Sequence, residues 1–429
     1  IQIKISTLRY RQMGNILNII NSDEHFHNLN DFGKSNYMKC LEGTFLSAEV
    51  KPHFELTICN VDSIDETKKY LYVIECRTKD AIYSAFLKIP QQVLDLVNQD
   101  RCKVIFSYEA EGDLNVNYFN GWYHLTCKPR EDEIKFSNFY IFHCELNCEK
   151  NNETPINFFA STHHFDSTSF ELNKIIEDNN HRQLDDFDYD FYLKNINDVD
   201  VESKSKQFLC YIRNCNRDHR KAIASYFQHN NLWNNNNISF LKNSYSNKSI
   251  PNKILPQKYW NSCSELDNLP MVEIDTQNIQ NKENFNTSFT SNWKHYQETF
   301  LSIVSETLYL PDNITPFECN FFSEKICKPL VNLHPFILMS TPYSLQKLRK
   351  FGFKTFDGFI DESYDNEKSH LKRMQMIFDE LDKFRNKSDE ELKDWWKEIL
   401  PILEHNQKTF INMGNKKTKK IKLLENLYD

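Results

Sequence analysis

Two short stretches of this chain carry side chains suited to a phosphorylated ligand. The first is Arg213, Arg217, His219 and Arg220, in the run RNCNRDHR, which follows a strand-like segment and opens a helical one. Arginine forks match phosphate oxygens two at a time, and a helix N-terminus adds aligned N–H donors. An exposed basic turn would carry the same residues. The second stretch is Glu324, Lys325 and Lys328 at the opening of the next helix, with Glu306 upstream at the end of the buried run 300–305. A carboxylate can accept both hydroxyls of a ribose while a neighbouring lysine neutralises a diphosphate. An ordinary helix with an acid in its first turn would also fit.

Glycine loops offer no alternative. The eight glycines form neither GxGxxG nor GxxxxGK, so the P-loop and the standard dinucleotide fingerprint are absent. Phosphate binding then falls to side-chain cations and helix N-termini. Two further strand ends carry polar groups. The buried run 103–108 is followed by Glu109, Glu111, Gly112 and Asp113, and the run 139–144 ends with His143 and Glu145 beside it. Acids and a glycine at a strand's carboxyl end are the usual form of a functional crevice in an open α/β sheet.

The elements that must position these groups alternate between strand and helix patterns. A chain of 429 residues exceeds one ordinary core, which predicts two domains. Strands are expected at 54–59, 70–76, 85–89, 103–108 and 139–144, with a helix over 91–98 started by Pro90. Residues 1–40 read as an irregular N-terminal arm and 41–200 as an N-terminal α/β domain. Residues 195–206 read as a linker. A second domain, 205–410, has strands at 208–212, 238–241, 300–305 and 336–339. Its helices are expected at 221–228 and 325–332, and at 343–350 with Thr341 as N-cap, Pro342 at the first position and Gly352 as the stop. Residues 242–292 read as an Asn-rich irregular insertion, and two charged amphipathic helices follow from 367. The lysines at 416, 417, 419, 420 and 422 make 411–429 a basic, solvated tail.

Bulk composition narrows the class further. Hydrophobic residues make up 40% and charged residues 26%, as in soluble globular chains. The net charge of −8 argues against a wide nucleic-acid surface and leaves room for a local basic groove. Twelve cysteines without a CxxC pair, many inside apolar runs, read as free thiols in a reducing compartment. No signal peptide and no apolar run of membrane-spanning length are seen, so a cytoplasmic protein without a membrane span is expected.

Residues 205–385 resemble the C-terminal domain of GT-B glycosyltransferases, in the form found in glycosyltransferase-like proteins of phages and large viruses. The resemblance rests on FLCYIRNCNRDHR (Phe208–Arg220) and on SEKICKPLVNLHPFILMSTPYSLQKLRKFGFKTF (Ser323–Phe356). The Ser-Glu-Lys element is also similar to the ITEK motif of α1,3-fucosyltransferases, which points to Glu324 and Lys325 as donor-binding residues and to Arg213 as the upstream arginine. The resemblance implies an α/β chain with two Rossmann-like domains in a GT-B-like arrangement, facing each other across a cleft. It implies a nucleotide sugar as co-substrate with no cofactor and no metal, and a glycan, protein or nucleic-acid acceptor.

A general base would come from the N-terminal domain, with Glu111 first, then Glu109, Asp113 and His143. Asp186, Asp188 and Asp190 have DxD spacing but lie in an acidic stretch outside the α/β pattern. A non-catalytic, virion-associated binding module and a DNA-modifying glycosyltransferase remain alternatives.

Overall fold

Runs in which nearly every residue is apolar build parallel strands covered on both faces, and such runs here form two separate sheets. A computed structural model of the chain describes residues 15–20, 53–76, 79–108, 116–143, 153–160, 163–177, 194, 197–212, 217–240, 249–269, 292–309, 321–414 and 418–428. The chain divides into two compact units. The first takes Ile1–Glu177, Pro311–Phe321 and Gly414–Asp429, and the second Asp178–Leu310 and Phe322–Met413. Every strand pair among the described residues is parallel.

The first unit holds a six-stranded sheet of β1 (Asn15–Ile20), β2 (Phe54–Cys59), β3 (Tyr70–Glu75), β4 (Cys102–Tyr108), β5 (Phe139–His143) and β6 (Asn157–Ala160), in the order β2-β1-β3-β4-β5-β6. Its helices are α1 (Lys79–Phe86), α2 (Gln91–Asn98), α3 (Val116–Thr126) and α4 (His163–Glu177). Period-two alternation sends Tyr72 and Ile74 to one face, where they meet α1, α2 and α3, while Leu71 and Val73 go to the other. Phe86 stacks on Phe106 and Phe139 at 4.3 and 5.4 Å, so aromatic contacts fix α1 on the sheet. Helix α2 stops at Asp100, whose φ of 60° is the left-handed cap conformation. The following N–H of Arg101 reaches back to the Leu96 carbonyl at 2.9 Å and turns the chain into β4.

The second unit holds β7 (Lys206–Ile212), β8 (Asn237–Phe240), β9 (Thr299–Ser305) and β10 (Phe336–Met339), in the order β10-β9-β7-β8. Its helices are α5 (Asp218–His229), α6 (Trp260–Glu265), α7 (Trp293–Glu298), α8 (Glu324–Val331), α9 (Ser344–Lys350), α10 (His370–Arg385) and α11 (Asp389–Gly414). From β7 the chain passes through α5 to β8 on one side, and β9 and β10 then build outward on the other. The strand order therefore reverses between β7 and β9, and the crevice outside their carboxyl ends is the switch point where open α/β sheets bind ligands.

Several expectations are corrected. The arm expected over 1–40 contains β1, a strand inside the sheet with Leu17, Ile19 and Ile20 fully buried. The strand expected at 85–89 is instead the end of α1 and the turn after it, because Ile82, Ala85 and Phe86 share one helical face. Within 242–292, residues 257–268 form helical turns around α6, with Tyr259, Cys263 and Leu266 buried; 241–248 and 270–291 lie outside the described residues. Lys204, within the stretch expected as a linker, is buried. Tyr343 takes the N-cap place expected of Thr341 on α9, with a φ of 68°. The tail expected over 411–429 contains α12 (Lys419–Tyr428), whose Ile421 and Leu424 join Leu71, Val73 and Phe142 in the first unit's core. Lys420 is buried there as well, with its Nζ over the Phe142 ring, while Lys419 and Lys422 stay exposed.

The other expected strands and helices lie within a few residues of their expected positions, and β6, α3, α4 and α7 had no counterpart among the expected elements. Seven cysteines among the described residues are free thiols, and all but Cys59 are buried, as small apolar side chains are. No helix among the described residues is long and apolar enough to cross a membrane.

Candidate functional site

The switch-point edge of the second unit is built from three segments. Strand β9 runs out into Glu306 and Thr307, α5 begins after Arg217, and α8 begins after Ser323. Ser323 is the N-cap of α8 and accepts the Lys325 N–H through its hydroxyl at 3.3 Å. Glu306 fastens that cap to the sheet. Its carboxylate accepts the Ser323 hydroxyl at 2.6 Å, the Ser323 N–H at 3.3 Å and the Thr307 N–H at 3.2 Å. Its own N–H donates to the Met339 carbonyl and continues the ladder to β10. Burial pushes the Glu306 carboxyl above its usual range, opposed by Lys325 and the Ser323 hydroxyl.

The basic residues of α5 reach the same place. Arg217 donates to the Thr307 carbonyl. His219 donates through Nε2 to the Glu306 carbonyl at 2.9 Å, and its ring stacks on Tyr309 at 5.4 Å. Burial, reinforced by Arg220, lowers the His219 pKa to about 3, so the ring is neutral near pH 7. Arg220 is 6% exposed; burial and Arg217 lower its pKa, while Glu306 and Glu324 act the other way.

Lys325 completes the cluster. Its Nζ lies 3.0 Å from Glu324 Oε1, 3.1 Å from Ser323 Oγ and 3.4 Å from Thr307 Oγ1. Glu324 and Lys325 are each about one-third exposed, so this pair borders solvent. Lys328 sits one turn farther along α8, with Nζ 6.0 Å from the centre of the Tyr211 ring. The Tyr211 hydroxyl in turn lies 3.0 Å from His295 Nδ1. Asn292 fixes that imidazole. Its Oδ1 takes the Lys294 N–H, so its Nδ2 donates to His295 Nε2 and leaves the ring proton on Nδ1, facing Tyr211.

Six of the eight expected donor-side residues therefore meet around Thr307: Arg217, His219, Arg220, Glu306, Glu324 and Lys325. Two of them take other roles than expected. His219 contributes a neutral hydrogen bond and a stacked ring in place of a cation. Glu306 is fully buried with its oxygens on Ser323 and Thr307, so it holds the site together and does not face a ligand. Lys328 is adjacent, and Arg213 lies outside the described residues.

In the first unit's stretch of chain, Glu109, Glu111 and Asp113 also lie outside the described residues; so, in the second unit's stretch, do Asp186, Asp188 and Asp190. His143 ends β5 fully buried, with its ring 6.0 Å from Phe158. No three His, Cys, Asp or Glu side chains are grouped to hold a metal ion among the described residues.

Ser323, though part of the Ser-Glu-Lys element, was given no role from the sequence, and Thr307 and Tyr309 were not singled out. Ser323 carried a usable signal, a serine before an acid-led helix. Thr307 and Tyr309 carried none, since their roles come from where β9 ends.

The arrangement can neutralise a multiply charged anion with Arg217, Arg220 and Lys325 while presenting a carboxylate to hydroxyl groups. Comparison of the chain with protein-family models, with curated proteins and with solved structures finds no match.

Proposed function

We propose that the chain is a glycosyltransferase that takes a nucleotide-sugar donor in its second unit. One observation carries the reading: the starts of α5 and α8 bring Arg217, Arg220, Glu324 and Lys325 together at the carboxyl ends of β7 and β9. Cations and helix N-termini there suit a diphosphate, and Glu324 suits the ribose hydroxyls. The same charges would stabilise the nucleoside diphosphate as it departs, which is where negative charge develops in the transfer.

The rest of the reading follows the family resemblance. It includes a GT-B-like arrangement of the two units, transfer without a cofactor or metal, and a glycan, protein or nucleic-acid acceptor in the cytoplasm. A base would come from Glu111, Glu109, Asp113 or His143. The burial of His143 favours, as a second reading, a module that binds the donor without turning it over.

A thermal-shift screen against UDP, GDP, CMP and dTDP sugars tests the proposal. At least one should raise the melting temperature of the wild type, and Lys325→Met should shrink that rise. No rise with any of them overturns the donor site. Sugar release or transfer from the stabilising compound separates the enzyme from the binding module.

A further inference from the structure

Glu324 is placed to do more than accept hydroxyls. Its Oε1 lies 3.0 Å from the Lys325 Nζ on the adjacent residue, at the solvent border of the cluster. It also attracts Arg220 and repels Glu306. Arg220 and Lys325 thus face two carboxylates, and the two differ in kind. Glu306 is buried and committed to Ser323 and Thr307. Glu324 is about one-third exposed and is the first residue of α8, at the solvent border.

We infer that Glu324 is the internal counter-ion of this site, holding Lys325 until an incoming diphosphate displaces it. Two like charges cannot share Lys325 at hydrogen-bond distance without mutual repulsion, so binding the anion releases the carboxylate. The released carboxylate is then available, at the mouth of the same site, to accept hydroxyl groups. Anion binding and hydroxyl recognition become coupled: a diphosphate alone must work against Glu324, whereas a ribose diphosphate gives that carboxylate new partners. Glu324 would accordingly set the preference for nucleoside diphosphates over free pyrophosphate.

This inference rests on the donor-site reading only for its second half, and the test keeps the halves apart. Inorganic pyrophosphate and UDP or GDP are titrated by calorimetry into the wild type and into Glu324→Gln and Lys325→Met. Glu324→Gln should bind pyrophosphate at least fivefold more tightly than the wild type while gaining nothing for the nucleoside diphosphate, and Lys325→Met should weaken both. Equal or weaker pyrophosphate binding by Glu324→Gln overturns the counter-ion role. Tighter pyrophosphate binding without any response to nucleotides upholds it and removes the donor reading instead. Both residues are partly exposed, and the melting temperature of each variant checks that folding is retained.

Discussion

The Asp365 carboxylate accepts the N–H of Leu345 through one oxygen at 3.0 Å and that of Gln346 through the other at 3.2 Å. Its backbone carbonyl also takes the Tyr343 N–H at 2.7 Å. Helix α9 is thus capped from a segment twenty residues downstream, where Tyr343 enters in the left-handed region and offers no side-chain cap of its own. Two N–H groups that α9 cannot satisfy internally are met by one buried anion.

Replacing Asp365 with Ala would leave those two donors buried without an acceptor. The expected loss is about 1–3 kcal/mol of unfolding free energy, read from the denaturant midpoint. Asp365→Asn keeps one acceptor oxygen and should lose less. A loss for Asp365→Ala within about 0.5 kcal/mol, the range of ordinary surface changes, would show that water or another group caps α9.

Gly414 and Gly121 should respond oppositely to alanine. A Cβ at Gly414 would collide with the Ser169 backbone and the Asn173 side chain, so Gly414→Ala should cost about 1–3 kcal/mol through overpacking. At Gly121, inside α3, nothing lies within 4 Å of an added Cβ. Gly121→Ala should therefore stabilise by about 0.5–1 kcal/mol through helix propensity. Chemical denaturation of both variants beside the wild type decides it, and equal effects of the same sign would refute the close approach at Gly414.

What could be read from the sequence follows from how local each cause is. Strands β9 and β10 and helix α8 are bounded by their own residues, an unbroken apolar run or a serine cap, and their limits were accessible. Strand β1 is six residues long and set in polar surroundings, and its burial comes from β2 and β3 on either side. Helix α12 was hidden by its lysines, because Ile421 and Leu424 gain meaning only once a sheet face lies beneath them. The same distinction holds at the site. Residue types located the cluster, since arginine, lysine and glutamate signal charge. They did not tell that tertiary burial turns His219 into a neutral donor and Glu306 into a brace for Ser323.

Lys204 yields a test of pH dependence. It is 3% exposed, and its Nζ donates to the carbonyls of Tyr296 at 2.8 Å, Gln297 at 3.3 Å and Thr299 at 2.7 Å, at the end of α7. The indole of Trp396 lies 5.0 Å away, and Asp200 supplies a weak opposing charge. Burial lowers its pKa from 10.5 to about 7. Between those two values the unfolded chain holds a proton that the folded chain has released. Stability should therefore rise with pH across this window, by at most about 1.4 kcal/mol per unit from this group, and be insensitive to it below pH 7.

Lys204→Met removes the titrating group and should remove that part of the slope, while costing stability at every pH because buried carbonyls lose their donor. Urea unfolding of both proteins at pH 6, 8 and 9.5 measures the difference. A slope unchanged by the substitution would mean that Lys204 keeps its proton in the fold, held there by the three carbonyl dipoles.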